Sequence, residues 1–415
     1  MRACAWLAAA VVFFVGARAA ASLPEAEGTG PWFVSRAADA PVPPAPTPPA
    51  LKYELSAHLD ITREAYLLYA SRYQGSELDR YIGGYHGSVP DSYDKDNVIS
   101  GAYQEDVPYR NPWNEQLPML RHFWKARTDE GFGGNDTAVN RANKYFTGGF
   151  GLDGNYDAGW AGGGDDSGVR GMGVVGLYRS GDKDKAYWYL GHAAHLLEDL
   201  TVPAHASLWP HPFGRDAYEA FMIGHREEFA AKRWGGEIPE PATLRGLYYD
   251  AAIAAADFDA GTGPGSNGVD GARDQGARRA AGFPPASLRE EGAFLWPLAC
   301  RHVAALFVYF YRQVDRTPPK VRLDDPRRRG RKVTLRARAS DTQSGVDRRG
   351  FLFEYSSETG PWLPVPSDGG DRAEVVLPAG SYFFRAWAVD AAGNAAPSAP
   401  RPLSVESEPS SVALR

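Results

Sequence analysis

Cysteine is almost absent from this sequence, with only Cys4 and Cys300 among 415 residues. Cys4 lies in an amino-terminal stretch with the features of a secretory signal peptide, in which Arg2 supplies the positive charge, residues 5–16 form an apolar core and 17–21 offer small-residue cleavage sites. Removal of that stretch leaves Cys300 alone, so we expect no intrachain disulfide. The stability of the exported chain would then depend on its core and on bound metals.

A strong net charge is also missing, and the apolar stretch at the amino terminus is short. The apolar stretch of the signal peptide is too short to span a bilayer, which argues against a transmembrane anchor. The formal net charge is −6, with 45 Lys and Arg against 51 Asp and Glu. A charge this small does not predict nucleic acid or an anionic membrane as an obligate partner. A hydrophobic content of 43% is typical of a globular protein.

Changes in composition divide the chain into five segments. They are a signal peptide at 1–21, a proline-rich linker or pro-segment at 22–50, a helical domain at 51–315, a β-sandwich at 316–406 and a tail at 407–415. The length of the chain is enough for two or three domains, in agreement with this division. The predicted fold class is therefore an all-α domain followed by a small all-β sandwich.

Apolar residues recur at helical spacing through most of 51–315. Helices are predicted at 55–73, 117–125, 138–146, 185–200, 217–232, 244–258 and 288–314. Loops rich in Gly and Asp separate them, and loops of such length are typical of functional or mobile segments. Cys300 lies in an apolar run of the last helix and is interpreted as a core residue rather than a catalytic one.

Alternating apolar and charged residues at 333–339 and 382–388 predict β-strands. The phrases at 341–346 and 388–394 resemble those of immunoglobulin- and fibronectin-like modules, which implies a β-sandwich and no particular ligand. The basic run at 327–332 lies at a predicted strand connection. A solvated turn and contact with a phosphate-bearing surface are the two interpretations of this run.

Residues 189–206 carry the clearest chemical pattern. His195 and Asp199 are four residues apart on a predicted helix, so their side chains leave the same face. Pro203 ends that helix, and His205 follows where the chain can turn back toward the same face. Two imidazoles and a carboxylate suit a zinc site. The alternative interpretation is a solvated helix face with these residues at chance spacing.

The helical domain contains four further groups of zinc-type ligands. His58 begins the first predicted helix, and the adjacent carboxylates Glu105 and Asp106 precede a proline. His122 stands among aromatic residues, and Glu219 lies on the helix after His205. Imidazole and carboxylate groups of this kind are the nitrogen and oxygen ligands that zinc takes in proteins.

In this order, the motifs resemble those of the zinc-dependent bacterial phospholipases C, an all-helical family that shares a trinuclear zinc site with single-strand-specific nucleases. The resemblance covers most of the helical domain. It implies one zinc bound by Asp106, His122, His195 and Asp199, a second zinc held by His58 and bridged by Asp199, and a third held by His205 and Glu219.

The sequence departs from the family in two places. The family has a histidine four residues before the matched glutamate, whereas this chain has Arg215 there. His211 or Asp216 is the candidate substitute for the missing ligand. The family's amino-terminal tryptophan has no counterpart just before His58, and Trp32 would reach an amino terminus only after a second cleavage.

The resemblance implies a secreted phosphodiesterase with two or three zinc ions, which hydrolyses phospholipid to diacylglycerol and a phosphorylated head group. Asp106 would orient or deprotonate the metal-activated water. The phospholipid substrate could be met at a membrane surface or as monomers, and no stable nucleic-acid partner is expected. A zinc-dependent single-strand nuclease is the first alternative, although such nucleases have a Trp-Gly before the first histidine and often disulfides. A degenerate zinc-fold domain that binds surfaces is the second.

The remaining histidines have other interpretations. His192 lies three residues before His195, where it could support the ligands or lie on the helix surface. His225 and His302 are interpreted as structural residues of their helices, and His86 as a loop residue.

Overall fold

A computed structural model describes residues 56–83, 97–105, 121–134, 136–148, 172–208, 217–232, 237–259 and 285–406. The predicted signal peptide, proline-rich segment and tail lie outside these ranges, as do His86, Asp106, His211 and Asp216. Along the described chain, a helical part is followed by a β part. This order confirms the predicted fold class, while the exact domain bounds stay a prediction.

The helical part contains ten α-helices within the described ranges. They are α1 Ser56–Arg72, α2 Leu78–Tyr81, α3 Val98–Gln104, α4 Ala138–Thr147, α5 Gly173–Ser180, α6 Lys183–Asp199, α7 Pro203–Ala206, α8 Ala217–His225, α9 Leu244–Asp259 and α10 Pro285–Val314. Two 3-10 helices at Phe132–Gly134 and Arg226–Lys232 and a short strand β1 at Tyr73–Gln74 complete this part. The predictions at 55–73, 138–146, 185–200, 244–258 and 288–314 are confirmed, with small shifts at their ends.

The helix predicted at 117–125 is wrong over its described part. Trp124 N donates to His205 O at 3.2 Å, and Phe123 O accepts from Ala138 N at the same distance. Lys125 forms an antiparallel bridge with Glu130. Because these backbone groups bond to other segments of the chain, helical hydrogen bonds are not needed to satisfy them.

Two glycines allow α3 and α6 to pack in close contact. A Cβ atom added to Gly101 would lie 1.9 Å from Trp188 O, and one added to Gly191 would lie 2.1 Å from Val98 O. Any larger residue would therefore push the two backbones apart. His195 lies one helical turn after Gly191, so this close packing also places its ring beside the end of α3.

The longest helix, α10, forms much of the core. From Leu288 to Val314 it is long and apolar enough to cross a membrane, but 78% of its most apolar window is buried inside the protein. Cys300 on this helix is fully buried, with Sγ 3.4 Å from Glu64 Oε2 of α1. The burial of Cys300 confirms that it is a core residue, and the packing of α10 accounts for its apolar character.

The β part consists of two sheets. Its strands are β2 Lys320–Leu323, β3 Arg327–Arg329, β4 Lys332–Ser340, β5 Val346–Asp347, β6 Leu352–Ser357, β7 Leu363–Val365, β8 Arg372–Val376, β9 Gly380–Val389, β10 Ala395–Pro397 and β11 Arg401–Val405. In one sheet, β4 pairs with β2, β3 and β8, and in the other the order is β10-β9-β6-β7 with β11 also pairing with β9. The predicted alternation is confirmed, because Val333, Leu335, Phe384 and Ala386 face a shared core.

A short ladder between β1 and β5 joins the two parts. Tyr73 pairs with Asp347 and Gln74 with Val346. Glu77 N donates to Gln343 O at 2.9 Å next to this ladder. The hydroxyl of Tyr69, in the last turns of α1, donates to the backbone carbonyl of Ser344. The end of α1 is thereby held against the β part.

Three buried aspartates lie beside this junction. Asp315 Oδ2 accepts from Ser344 Oγ at 2.6 Å, and Asp341 Oδ1 accepts from the backbone of Gly345 at 2.9 Å. Burial, with a further contribution from the Asp315 and Asp341 carboxylates, raises the pKa of Asp390 to about 6. The hydrogen bonds from the 343–345 loop hold the end of α10 to the sandwich.

The contact between α3 and α6 can be tested by substitution. We expect Gly191→Ala to lower the free energy of unfolding by about 1–3 kcal/mol or more, because the new Cβ would meet a backbone atom that cannot yield locally. Gly224→Ala on α8 is the matched control, since nothing lies within 4 Å of its added Cβ. The free energy of unfolding of this control should rise by about 0.5–1 kcal/mol, because alanine lowers the conformational entropy of the unfolded chain. Equal denaturation midpoints for Gly191→Ala and the wild type would contradict this account.

Candidate metal centre

Four histidines surround the carboxylate of Asp199, which is buried at the end of α6. His122 Nδ1 lies 2.8 Å and His195 Nε2 lies 3.2 Å from Asp199 Oδ2. His58 Nε2 is 3.6 Å from Oδ1, and His205 Nδ1 is 3.9 Å from Oδ2. The ring of His58 also stacks on that of His195, with 3.9 Å between ring centroids.

Each imidazole comes from a different part of the helical domain. His58 lies in the first turn of α1, His195 lies one turn before Asp199 on α6, and His122 lies at a bend in the chain just before Phe123. His205 lies on α7, which begins at Pro203 as its first helical residue. Pro203 thus starts a new helical turn after α6 ends, and this turn returns His205 to the site.

The second ring nitrogen of several histidines is fixed by a hydrogen bond. His195 Nδ1 donates to Ala102 O at 2.7 Å, and His205 Nδ1 donates to His122 O at 3.2 Å. A neutral imidazole that donates through Nδ1 carries its lone pair on Nε2. This is the arrangement that orients histidine ligands toward a metal ion.

Glu198 fixes the ring of His58 in the same way, through its Nδ1. Its Oε2 lies 2.8 Å from His58 Nδ1, and its Oε1 accepts the hydroxyl of Thr62 at 2.7 Å. Neighbouring carboxylates on α6 therefore act on both nitrogens of His58, Glu198 on Nδ1 and Asp199 on Nε2. The sequence pattern did not single out Glu198. Glu198 lies next to Asp199 and three residues after His195, and this spacing is the signal in the sequence that could have indicated its role.

A second buried network adjoins the site around Glu105. Its carboxylate accepts from Arg141 Nε at 2.6 Å and Tyr145 Oη at 2.8 Å, and it contacts His192 Nδ1. Oε1 lies 3.6 Å from His122 Nε2. Burial alone would raise the pKa of Glu105, but the charges of Arg141 and His192 and hydrogen bonds outweigh burial and hold it well below its usual range.

This network corrects one interpretation and adds a residue. His192 is buried with a 1% exposed surface, so the helix-surface interpretation is wrong, and its bond to Glu105 links it to His122. Asp106 was predicted as the ligand and catalytic base, and it lies outside the described residues. Glu105, for which the sequence predicts no separate role, is the member of that carboxylate pair that lies beside His122.

The charges of the site act strongly on one another. Burial would raise the pKa of Asp199, but the imidazoles of His195, His205 and His122 lower it well below its usual range. Burial would lower the pKa of His205, yet Asp199 and Glu219 outweigh that effect and raise it to about 9. The pKa of His122 is raised by Asp199 for the same reason, against the effect of burial. The cluster is therefore a strong site for positive charge.

The donor atoms fit a zinc ion. His58, His195 and Asp199 each offer a ligand atom within 4.8 Å of the others. Tetrahedral ligands at zinc bond lengths stand roughly 3.4 Å apart. The spacings of 3.2 Å from His195 Nε2 to Asp199 and 3.6 Å from His58 Nε2 to Asp199 lie on either side of this value. Imidazole nitrogen and carboxylate oxygen are also the ligand types that zinc prefers here.

His205 and Glu219 form the outer end of the site. His205 Nε2 lies 3.2 Å from Glu219 Oε1, and the Glu219 side chain is 23% exposed. The six predicted ligands that the structure describes thus lie in one continuous cluster: His58, His122, His195, Asp199, His205 and Glu219. The candidate substitutes His211 and Asp216 lie outside the described residues, as does Arg215.

Comparisons with known proteins give a weak similarity of fold. No family model matches the chain, and no curated protein matches it. A crystal structure of the alpha-toxin of Clostridium perfringens from the avian strain SWCP is 11% identical with a TM-score of 0.38, and the match covers 84% of this chain and 98% of the toxin chain. The alpha toxin of Clostridium absonum is 12% identical with a TM-score of 0.37, and the match covers 86% of this chain and 100% of the toxin chain. Similarities this weak carry no conclusion about activity.

Proposed function

We propose that this chain is an exported zinc-dependent phosphodiesterase, and specifically a phospholipase C that releases diacylglycerol and a phosphorylated head group. The observation that carries the proposal is the convergence of four imidazoles on the buried carboxylate of Asp199. The order of the ligand motifs, which resembles that of the zinc-dependent phospholipases C, supports the substrate class.

Asp199 is the proposed bridging ligand. Its Oδ1 faces His58, and its Oδ2 faces His122 and His195. A carboxylate with different imidazoles at its two oxygens can serve two metal ions at once. His205 and Glu219 would hold a further ion at the outer end of the cluster.

Zinc bound there would supply a water of pKa near 7 as nucleophile and a positive charge for the phosphoryl oxygens. The residues of the chain would hold the ligands in place and handle the proton. Glu198 and Ala102 O orient His58 and His195. Glu105 is a poor proton acceptor at neutral pH because its pKa is held low, so Asp106 remains the proposed base for the attacking water.

The alternatives differ in substrate or in activity. A single-strand nuclease would use the same donor set, and the missing Trp-Gly and disulfides favour the lipase. A degenerate binding domain would have no need of a complete ligand set. The six described ligands are retained and lie together, which supports an enzyme.

The first prediction from the proposed function concerns metal content and activity. The exported protein should contain zinc and hydrolyse phosphatidylcholine, with activity lost in a chelator and restored by zinc. His195→Ala should lose bound zinc and lower kcat/KM by on the order of 100-fold or more, because it removes a central nitrogen ligand. Elemental analysis and a head-group release assay measure the two effects.

The control for this substitution is His225→Ala. His225 on α8 bonds through Nδ1 to Phe221 O and lies outside the cluster, so this variant should keep zinc and activity. Cleavage of single-stranded DNA without cleavage of lipid would replace the proposal by the nuclease, and bound zinc without either activity would favour the binding domain. Full activity and metal content in His195→Ala would refute the site.

The second prediction isolates Glu198. Glu198→Gln should weaken zinc binding by about 10- to 100-fold, because the amide no longer draws the Nδ1 proton of His58 as a carboxylate does. Glu77→Gln is the matched control, since Glu77 is also a buried carboxylate but bonds to Tyr187 and Lys183 away from the site. Zinc affinity is measured by competition with a chromophoric chelator. Equal loss of affinity in both variants would contradict the assigned role.

The third prediction concerns protons. His205 has a pKa of about 9 without metal, and zinc requires the neutral ring, so zinc binding near pH 7 should release protons. The apparent affinity for zinc should then fall as the pH is lowered below about 9. Calorimetry in buffers of different ionisation enthalpy counts the released protons. Glu219→Gln should reduce the release, because Glu219 contributes to the raised pKa of His205.

A further inference from the structure

The two parts of the chain differ in the sign of their charge. Residues 316–406 contain 15 Lys and Arg against 11 Asp and Glu, a net charge of +4, although the whole chain carries −6. The net charge of the chain therefore hides a basic β part. The position of the basic residues within this part is decided by the register of its strands.

One face of the four-stranded sheet collects these charges. Along β4, the buried residues Val333, Leu335 and Ala337 alternate with exposed Lys332, Arg336 and Arg338. The exposed positions of the neighbouring strands continue the pattern. They are Lys320 and Arg322 on β2, Arg327 and Arg329 on β3, and Arg372 on β8. We call the surface formed by these eight exposed cations of β2, β3, β4 and β8 the basic face.

Few acidic groups neutralise the basic face. Lys332, Arg336 and Arg338 form ion pairs with Glu374, Asp371 and Asp324, at 2.5, 3.4 and 3.3 Å. The other five cations have no carboxylate within salt-bridge distance in the described part of the chain. Of the outward positions on these strands, Glu374 alone is acidic among the described residues. The surplus of positive charge on this face is therefore available to a partner.

The array is two-dimensional. β3 and β8 both pair with the first residues of β4, so they flank it on opposite sides. Neighbouring strands lie about 4.8 Å apart, and outward residues recur about every 6.8 Å along a strand. The cations therefore lie in three rows, one on β4 and one on each side of it. A linear polyanion would follow a single row, whereas a planar anionic surface can contact all three. Arginine predominates, and its planar guanidinium suits phosphate oxygens.

An exposed apolar residue lies within the array. Val376 on β8 pairs with Lys332 and is 65% exposed, the highest exposure among the large hydrophobic residues of the described chain. Basic residues around an exposed apolar side chain are the pattern of surfaces that bind anionic membranes and insert shallowly.

We propose that the basic face docks on the surface of an anionic phospholipid bilayer. This docking requires neither the metal centre nor hydrolysis, so it goes beyond the proposed activity and can be tested with the activity abolished. Each Lys or Arg near an anionic leaflet contributes about fivefold to binding, and the attraction falls with added salt.

The test is sedimentation of the full chain with vesicles in the presence of a chelator, which prevents hydrolysis. The protein should bind vesicles of phosphatidylcholine and phosphatidylserine at least about tenfold more tightly than vesicles of phosphatidylcholine alone, and high salt should abolish the difference. Replacing Arg322, Arg327 and Arg372 together by Gln should lower binding to the anionic vesicles by on the order of 100-fold. The same three positions replaced by Lys should keep most of the binding, because the charge is retained.

The matched control replaces three exposed arginines outside the basic face, Arg80, Arg316 and Arg348, by Gln. It removes the same net charge and should change binding by less than about threefold. Equal binding to both vesicle types, or an equal loss in the control and the basic-face variant, would overturn the proposal. Tighter binding to soluble single-stranded DNA or heparin than to anionic vesicles would also overturn it, because the partner would then be a linear polyanion. Circular dichroism checks that each variant is folded.

Discussion

The burial of a negative charge at Asp199 governs the helical domain. An unpaired carboxylate in the protein interior is very costly, and it persists only where positive or hydrogen-bonding groups surround it. Here α1, α6, α7 and the segment at 122 each contribute an imidazole, and together they hold the pKa of Asp199 low. The same demand recurs at Glu105, where Arg141 supplies the positive charge. The buried polar groups form two linked networks through His122, rather than isolated pairs.

The shared face of His195 and Asp199 on α6 could be predicted because helical geometry is local. A spacing of four residues places His195 and Asp199 on one face whatever the rest of the chain does. The segment at 121–125 could not be predicted in this way. Its apolar residues have helical spacing, but its backbone bonds to His205 and Ala138, which belong to other segments of the chain. Contacts of that kind are fixed by tertiary packing, which local propensity cannot anticipate.

The residues that contact the predicted ligands were harder to identify than those ligands themselves. Glu105 and Asp106 are adjacent, and only the end of α3 and its contact with His122 show where Glu105 points. The role of Glu198 follows from its hydrogen bonds with His58 and Thr62 of α1. The basic surface is a similar case. The run at 327–332 is conspicuous in the sequence, whereas Arg322 and Arg372 join it only through strand register. The register is set by the pairing of β2 with residues 337–340 of β4 and of β8 with residues 332–336 of β4.

Helix α1 has a consequence for the mechanics of the molecule. It begins at Ser56, carries His58 of the candidate metal centre in its first turn, ends at Arg72 and continues directly into β1, which pairs with β5. Its 17 residues span about 25 Å. Tyr69 anchors its last turns to Ser344. The helix therefore works as a rod of fixed length that is clamped at both ends. A rotation of the β part would therefore tilt α1 and shift His58 relative to Asp199, so the geometry of the candidate metal centre depends on how the β part is held.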